Sequence, residues 1–477
     1  MVFSSYIFLF LFLPIVLITY YCLSYLGKDI YQKLFLIAAS LFFYGYYNLS
    51  YLLLMVSTIL VNYIVALQIQ KSRDVRSKLF LTFGILFNVA LIAYFKYYDF
   101  FISNINAVFG SDLVLKHIIL PLGISFFTFQ QLSFLVSIYK REEKVEKFMD
   151  YCLFVSFFPQ LVAGPIVLYS EMIPQFKDEK RRHFNSDNFA AGIYVFSMGL
   201  FKKAVIADTM AFFVDNGFGM SGYGLGLSAS WVITLCYTLQ IYFDFSGYSD
   251  MAVGLGKLFN IDIPFNFLSP YRSESISEFW RRWHITLGRA LSTYIYKPLG
   301  GNRKGLARTC INLLLTFLVS GIWHGAAWTF VLWGALHGAF SVAERLAGKK
   351  LNAIPKGIRI FITLMIVNAL WVLFRAESFS QAMDIYRGML SFGNIALYQL
   401  NYVVGEAAYI NFPTSIDCAY IFGMLAFLFI VVFKCDNSAD YLKRFDASGK
   451  TLATAALLFS VAILCLSRES VFIYFNF

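Results

Sequence analysis

Apolar runs of about twenty residues recur along almost the whole of this chain, and that is the length an α-helix needs to cross a bilayer. They are not the ten-residue alternating segments of a membrane β-barrel. In hydrocarbon every backbone N–H and C=O must find its partner inside the spanning structure, so runs of this length predict helices. The chain has 477 residues, of which 59% are hydrophobic and only 14% charged. An ordinary soluble domain is about a quarter charged. The expected fold class is therefore all-α, a polytopic membrane protein forming one membrane domain over residues 1–477. About thirteen stretches are candidate spans, among them 79–98, 149–169, 188–207, 228–248, 307–323 and 325–344. The stretch 149–169 holds Pro159 and the turn-like Ala163-Gly-Pro165, and is expected to be re-entrant. The first apolar run lacks a basic leader and a small-residue cleavage site, so it reads as a retained helix and not as a removed signal peptide.

The formal net charge of +11 does not point to nucleic acid. The basic residues sit in short connections, at 71–78, 177–182, 272–308, 345–359 and 434–450, which the positive-inside rule assigns to the cytoplasm. No Lys or Arg lies between Arg387 and Lys434, a stretch containing Glu406 and Asp417, and it is expected to face outward, as is the glycine-rich 216–226. The seven cysteines are scattered without any metal or disulfide spacing, so neither a disulfide framework nor a metal site is expected. No internal repeat is visible, which weighs against a secondary transporter.

Chemistry concentrates in three places. Residues 318–338 are apolar yet carry two of the chain's five histidines, His324 and His337, each followed by glycine, with Trp323, Trp328 and Trp333 at every fifth position. An ionisable group at membrane depth is costly and is a functional candidate; the alternative is a histidine that bonds a neighbouring helix. For His337 the structural hydrogen bond is the preferred reading. The span 228–248 is expected to end in Tyr242-Phe-Asp-Phe-Ser-Gly-Tyr-Ser-Asp250, where Asp244 either orients a channel residue or bonds locally as a helix-end carboxylate. Third comes Ser275-Ile-Ser-Glu-Phe-Trp-Arg-Arg-Trp-His-Ile-Thr-Leu-Gly-Arg289. Ser275 and Glu278 have capping-box spacing, and Ile276, Trp280, Trp283 and Leu287 form an apolar stripe if one helix runs through. His284 falls at the stripe's edge, with Arg282 and Arg289 on a face away from it. The following Lys297-Pro-Leu-Gly-Gly-Asn-Arg-Lys-Gly305 is a basic glycine turn suited to diphosphate contacts.

Together these blocks resemble the membrane-bound O-acyltransferase family, and within it the bacterial alginate O-acetyltransferase-like branch. The resemblance rests on Val2-Phe-Ser-Ser5, Gln160-Leu-Val-Ala-Gly-Pro165, the 242–250 block, Glu278-Phe-Trp-Arg-Arg-Trp-His284, Pro298-Leu-Gly-Gly-Asn-Arg303, Gly321-Ile-Trp-His-Gly325 and Phe472-Ile-Tyr-Phe-Asn-Phe477. In one place the chain departs from that branch: Ser292 and Thr293 stand where an Arg-Asp pair is usual, so no role of that pair is carried over. The resemblance implies a ring of about eleven to thirteen tilted and re-entrant helices around a central channel. It implies His324 and His284 as catalytic residues. Trp323 and Trp328 would wall the tunnel and Asp244 would orient a channel residue. Arg281, Arg282, Asn302, Arg303 and Lys304 are the candidates for contacting the donor nucleotide.

It further implies a multi-pass protein of a bacterial inner membrane, and acetyl-CoA as donor substrate without any cofactor. The acceptor would be a hydroxyl on an extracytoplasmic polysaccharide, alginate-like or peptidoglycan, reached directly or through an extracytoplasmic partner protein. The rival readings are a polysaccharide-precursor transporter or flippase, a scaffold that only anchors an external transferase, and transfer of D-alanine to teichoic acid.

Overall fold

The computed structural model describes residues 1–46, 48–405 and 414–466. The terminal Phe472–Phe477 motif, Glu406 and the side chain of Asp417 lie outside the described residues. Every regular element among the described residues is helical. The helices gather into two compact units, one of residues 1–199, 248–264 and 445–459, the other of 200–247, 265–444 and the residues from 460.

The first unit holds α1 (Leu13–Ser24), α2 (Asp29–Gly45), α3 (Leu49–Lys71), α4 (Asp74–Phe109), α5 (Ile124–Tyr139), α6 (Phe148–Ser156), α7 (Phe158–Leu161), α8 (Tyr169–Lys177) and most of α9 (Ser186–Phe201). Some of its buried polar side chains pair across helices, which lowers the cost of burying them in an apolar interior. The Asn62 amide donates to Gln131 at 2.9 Å, and the Asn88 amide donates back to Asn62 at 2.6 Å, which ties α3, α4 and α5 together. Lys33 and Asp150 form a buried ion pair at 2.8 Å. The expected re-entrant stretch is a broken, buried segment. The helix stops at Ser156, Phe157 turns out at ψ 106°, and no helix follows Leu161 until Tyr169.

The second unit carries α10 (Asp208–Gly219), α11 (Leu227–Leu258) as far as Gly247, α12 (Ile276–Arg282), α13 (Ile285–Leu291), α14 (Gly305–His324), α15 (Trp328–Ala347) and α16 (Lys356–Arg375). It continues with α17 (Phe379–Met389), α18 (Gln399–Val404), α19 (Thr414–Lys434) and α20 (Ser438–Lys443); α21 (Gly449–Cys465) begins in the first unit.

Five helical segments among the described residues are long and apolar enough to cross a membrane: Leu49–Lys71, Asp74–Phe109, Ser186–Gly219, Gly305–His324 and Lys356–Arg375. With the all-helical architecture they define an all-α, multi-pass membrane protein. Two expected boundaries move. The expected span 79–98 lies inside the 36-residue α4, roughly 54 Å of helix against a hydrocarbon core of about 30 Å. The expected end at 248 is passed by α11, because the apolar Met251-Ala-Val-Gly-Leu sequence lets the helix run on to Leu258. The Asp-Phe-Ser-Gly block is therefore mid-helix, where its backbone is already satisfied, and not at a helix end.

Candidate active site

The 318–338 stretch folds as a tight hairpin of α14 and α15. Small residues make the approach possible. A Cβ on Gly321 would lie 2.4 Å from the Phe330 carbonyl oxygen, and one on Gly334 would lie 2.4 Å from that of Phe317. Backbone-to-backbone contact of this kind is how helices pack where no hydrophobic force drives them together. His324 is the last residue of α14 and is 2% exposed. Its ring sits edge-on to Trp333 at 5.2 Å and to Phe374 of α16 at 5.3 Å. The glycine of the Trp-His-Gly motif makes room for a ring of the same hairpin: a Cβ on Gly325 would fall 2.1 Å from a ring carbon of Phe330. That ring packs against Phe374 at 5.0 Å, so the glycine sets the wall behind the histidine.

His284 arrives by a different device. The single helix expected through 275–289 does not form. Ser275 caps α12 as its spacing predicts, its hydroxyl accepting from the Glu278 N–H at 3.0 Å. The helix then ends at Arg282, Trp283 is extended, and His284 takes the left-handed conformation, φ 45° and ψ 53°, before α13 begins. The stripe from Ile276 to Leu287 is thus interrupted, and Arg282 and Arg289 lie on separate helices. The cause is the preceding proline-bounded connection. Asn266 accepts the Thr286 N–H at 3.0 Å and its hydroxyl at 2.9 Å, and lies 3.2 Å from His284 Nδ1. Backbone bonds from Leu268 to Arg282 and from Ile285 to Asn266 complete the clasp. A non-glycine residue held at positive φ costs about 1–3 kcal/mol, and such residues persist where the surroundings over-determine them. His284 is 1% exposed, edge-on to Phe245 at 4.7 Å. Outside the spanning helices, in this break between two short ones, burial pushes its imidazole down to about 3. It is held as the neutral ring. Trp323 is the shared neighbour of the two histidines, 5.0 Å from His324 and 6.3 Å from His284 between ring centres.

The other candidates divide. Asp244, 1% exposed, is ion-paired with Lys203 at 2.7 Å, and Lys203 also holds Asp208 at 2.8 Å. Sequence reasoning missed Lys203 and Asp208, although a lysine inside an apolar helix satisfies the criterion that flagged Asp244. Asn266 was also missed; nothing local marks it. Trp328 is 54% exposed at the start of α15. Arg282 is engaged with Glu278 at 2.6 Å, while Arg281, Arg303 and Lys304 are exposed.

Asn302 lines a polar cavity of about 570 Å³, together with Tyr296, Thr309, Ser341, Arg345 and Arg359 among others. Arg303 and Lys304 follow Asn302 directly. The turn that carries them is pinned to α14 by the Asn312 amide, which donates to the Gly301 carbonyl at 2.8 Å. The cavity's Thr309 and the buried His324 stand fifteen residues apart on α14, which is roughly 22 Å of helix. His337 accepts a hydrogen bond at Nδ1 from the Trp280 indole at 3.2 Å, the structural bond expected of it.

His324, at the end of an apolar hairpin with a polar cavity at its far end, and the neutral His284 share Trp323 as a neighbour, an arrangement suited to acid–base chemistry shielded from water. The sequence supplies the class. The model of the MBOAT, membrane-bound O-acyltransferase, family matches residues 36–376, and the chain belongs to that family. A peptidoglycan O-acetyltransferase of Helicobacter pylori is 41% identical, covering 100% of this chain and 98% of the relative. A probable alginate O-acetylase of Azotobacter vinelandii is 37% identical with 100% of both chains covered. A teichoic acid D-alanyltransferase of Bacillus subtilis is 27% identical over only 45% of this chain and 56% of its own.

Proposed function

We propose that this membrane O-acyltransferase moves an acetyl group from cytoplasmic acetyl-CoA to a hydroxyl on an extracytoplasmic polysaccharide, with His324 as the general base. The burial of His324 at the end of the α14–α15 hairpin, with a polar cavity one helix length away, carries the reading. In the reaction His324 takes the proton of the acceptor hydroxyl as its oxygen attacks the thioester carbonyl. The tetrahedral intermediate collapses, the C–S bond breaks, and the proton passes from the imidazolium to the leaving thiolate. A positioned base contributes about 10²–10⁴-fold. Holding the two reactants together in a dry site adds an entropic advantage. The neutral His284 orients the donor without bringing a charge into the apolar site.

Arg303 and Lys304, beside the cavity, supply cations for the donor's phosphates. The two full-length relatives named above support acetyl as the group and a cell-envelope polysaccharide as the acceptor. The D-alanyl relative matches less than half the chain. The basic connections favour a bacterial inner membrane with the cavity on its cytoplasmic side, and an extracytoplasmic partner that takes the acetyl group onward. Membranes carrying the chain are expected to transfer radiolabel from acetyl-CoA to polysaccharide, and His324→Ala to abolish it. Wild-type transfer by His324→Ala removes the base assignment, and labelling from a D-alanyl carrier instead of acetyl-CoA removes the donor assignment.

A further inference from the structure

Glu344 stands where its own helix gives it no support. It lies in the last turn of α15, where the open carbonyls of a helix end favour a cation and disfavour a carboxylate. Its side chain reaches instead to the start of α12, and both oxygens are used there. Oε1 accepts the N–H of Ile276. Oε2 accepts the N–H of Ser277, 67 residues earlier in the chain, at 2.9 Å and its hydroxyl at 2.8 Å. Ile276 and Ser277 are the first two residues of α12, and Ser275 takes the third N–H, that of Glu278. The donors that a helix start leaves open are thus shared between the helix's own cap and a carboxylate from another helix. Glu344 also lines the polar cavity, so a direct part in holding a ligand is the competing reading.

α12 cannot place itself. It is seven residues long, and a helix that short is marginal without tertiary contacts. Its second anchor on α15 is the Trp280 indole, which donates to His337 Nδ1 at 3.2 Å. His337 and Glu344 lie two turns apart on one face of α15, and Ser277 and Trp280 are neighbours on one face of α12. Two anchors fix both the direction of α12 along α15 and its axial register, whereas one would leave it free to pivot. The register matters because α12 delivers His284. Trp283 and His284 follow its last residue directly, and the His284 ring comes to rest 6.3 Å from that of Trp323 on α14. α14 is held against α15 in turn, since Gly321 and Gly334 bring the two backbones into contact. Asn266 decides the conformation of His284; the hold of α15 on α12 decides where that conformation sits. We infer that Glu344 is a positioning residue for the acyl transfer. It pins the first turn of α12 to the end of α15 and so sets His284 beside Trp323, the neighbour it shares with His324. This rests on the reading that the two histidines serve one acyl transfer.

The test uses the full chain in lipid nanodiscs and reads kcat, KM for acetyl-CoA and Tm together. Glu344→Ala is expected to lower kcat by about 10²-fold, the order of loss that a small misplacement brings, and to leave KM within about twofold. Glu344→Gln keeps one acceptor oxygen at the same reach and is expected to lose only about tenfold, the worth of one net hydrogen bond. The deciding variant is Glu344→Ala with Ser277→Asp. It returns a carboxylate to the first turn of α12, keeps the charge of the cavity, and makes no link to α15. An acid there favours the helix start, so Tm is expected to recover while kcat is not. Where Glu344→Ala does not fold, the same comparison is read on Glu344→Gln, alone and with Ser277→Asp. Recovery of kcat by Ser277→Asp overturns the positioning role, because α12 then needs only a local anion. A raised KM with kcat unchanged overturns it too, and makes Glu344 a ligand residue of the cavity. Wild-type kcat in Glu344→Ala overturns it outright. If the wild-type chain transfers no acetyl group from acetyl-CoA, the functional reading falls, and the inference with it.

Discussion

Replacing Lys203 with methionine tests how much this buried cation contributes to the stability of the second unit. Lys203, Asp208 and Asp244 are 4%, 9% and 1% exposed, and the ammonium lies 2.8 Å from one carboxylate and 2.7 Å from the other. At an effective dielectric of about 20 each pair is worth roughly 6 kcal/mol in gross Coulomb terms. Most of that is offset by desolvating three ions. Removing the cation leaves the desolvation and takes away the attraction, with two carboxylates converging on the same vacated point. Losing one partner of a buried pair costs about 3–5 kcal/mol. At about 2–4 °C per kcal/mol for a unit of this size, Tm falls by roughly 6–20 °C.

The assay is tryptophan fluorescence on heating in detergent, checked by size exclusion. Acyl transfer should fall as well, because the residue after Asp244 is Phe245, whose ring packs edge-on against His284 at 4.7 Å. The triple variant Lys203→Met, Asp208→Asn, Asp244→Asn removes the stranded charges and should recover most of the lost Tm. A single variant with wild-type Tm refutes the reasoning, as does a triple variant no more stable than the single.

Two further outcomes follow from the histidines' surroundings. Gly325→Ala puts a methyl group 2.1 Å from the Phe330 ring. The overpacking costs about 1–3 kcal/mol and displaces the aromatic wall of His324, so transfer falls in a protein that still elutes as a monodisperse peak; Phe330→Leu in the same chain should restore it, and no recovery counts against steric conflict as the cause. For pH, the folded His284 imidazole is depressed to about 3 by burial, while the unfolded ring titrates near its ordinary value of 6.5. Its contribution to stability is therefore complete above pH 6.5 and lost as pH falls towards 3, because only the unfolded chain takes up the proton. His284→Asn, which tolerates the left-handed backbone, should flatten the acid side of the stability-against-pH curve across that window. An unaltered slope assigns acid sensitivity to other groups.

What the sequence makes legible here is whatever repeats along it or violates the membrane's rules. Twenty-residue apolar runs predict the helices because the bilayer demands that length. Ser275 predicts the start of α12 because a cap is a bond within one turn. His324 and His284 stand out because ionisable groups are scarce in apolar surroundings. The break at Trp283–His284 is illegible for the opposite reason. The local pattern favours a helix, and the decision belongs to Asn266, eighteen residues before His284, whose side-chain Oδ1 takes the Thr286 bonds that would otherwise be helical or open. The glycine of Trp-His-Gly marks a place without a side chain, yet its occupant, Phe330, depends on the hairpin closing.

Lys203 marks the boundary between the two kinds of information. Its presence inside an apolar helix is visible, and the same cost that singles out Asp244 singles it out. Its partner Asp208, about one turn away, is within reach of the sequence, but Asp244, forty-one residues on, is not, because only packing brings it there. A charge at membrane depth thus predicts that a partner exists before it predicts a function. Asp244 pairs with Lys203 and Arg282 with Glu278. Neutral groups are held to no such rule: in the second unit the side chains of Ser230, Ser246, Ser320, Thr329 and Ser341, His337 Nε2 and the Trp333 indole are buried without a partner among the described residues.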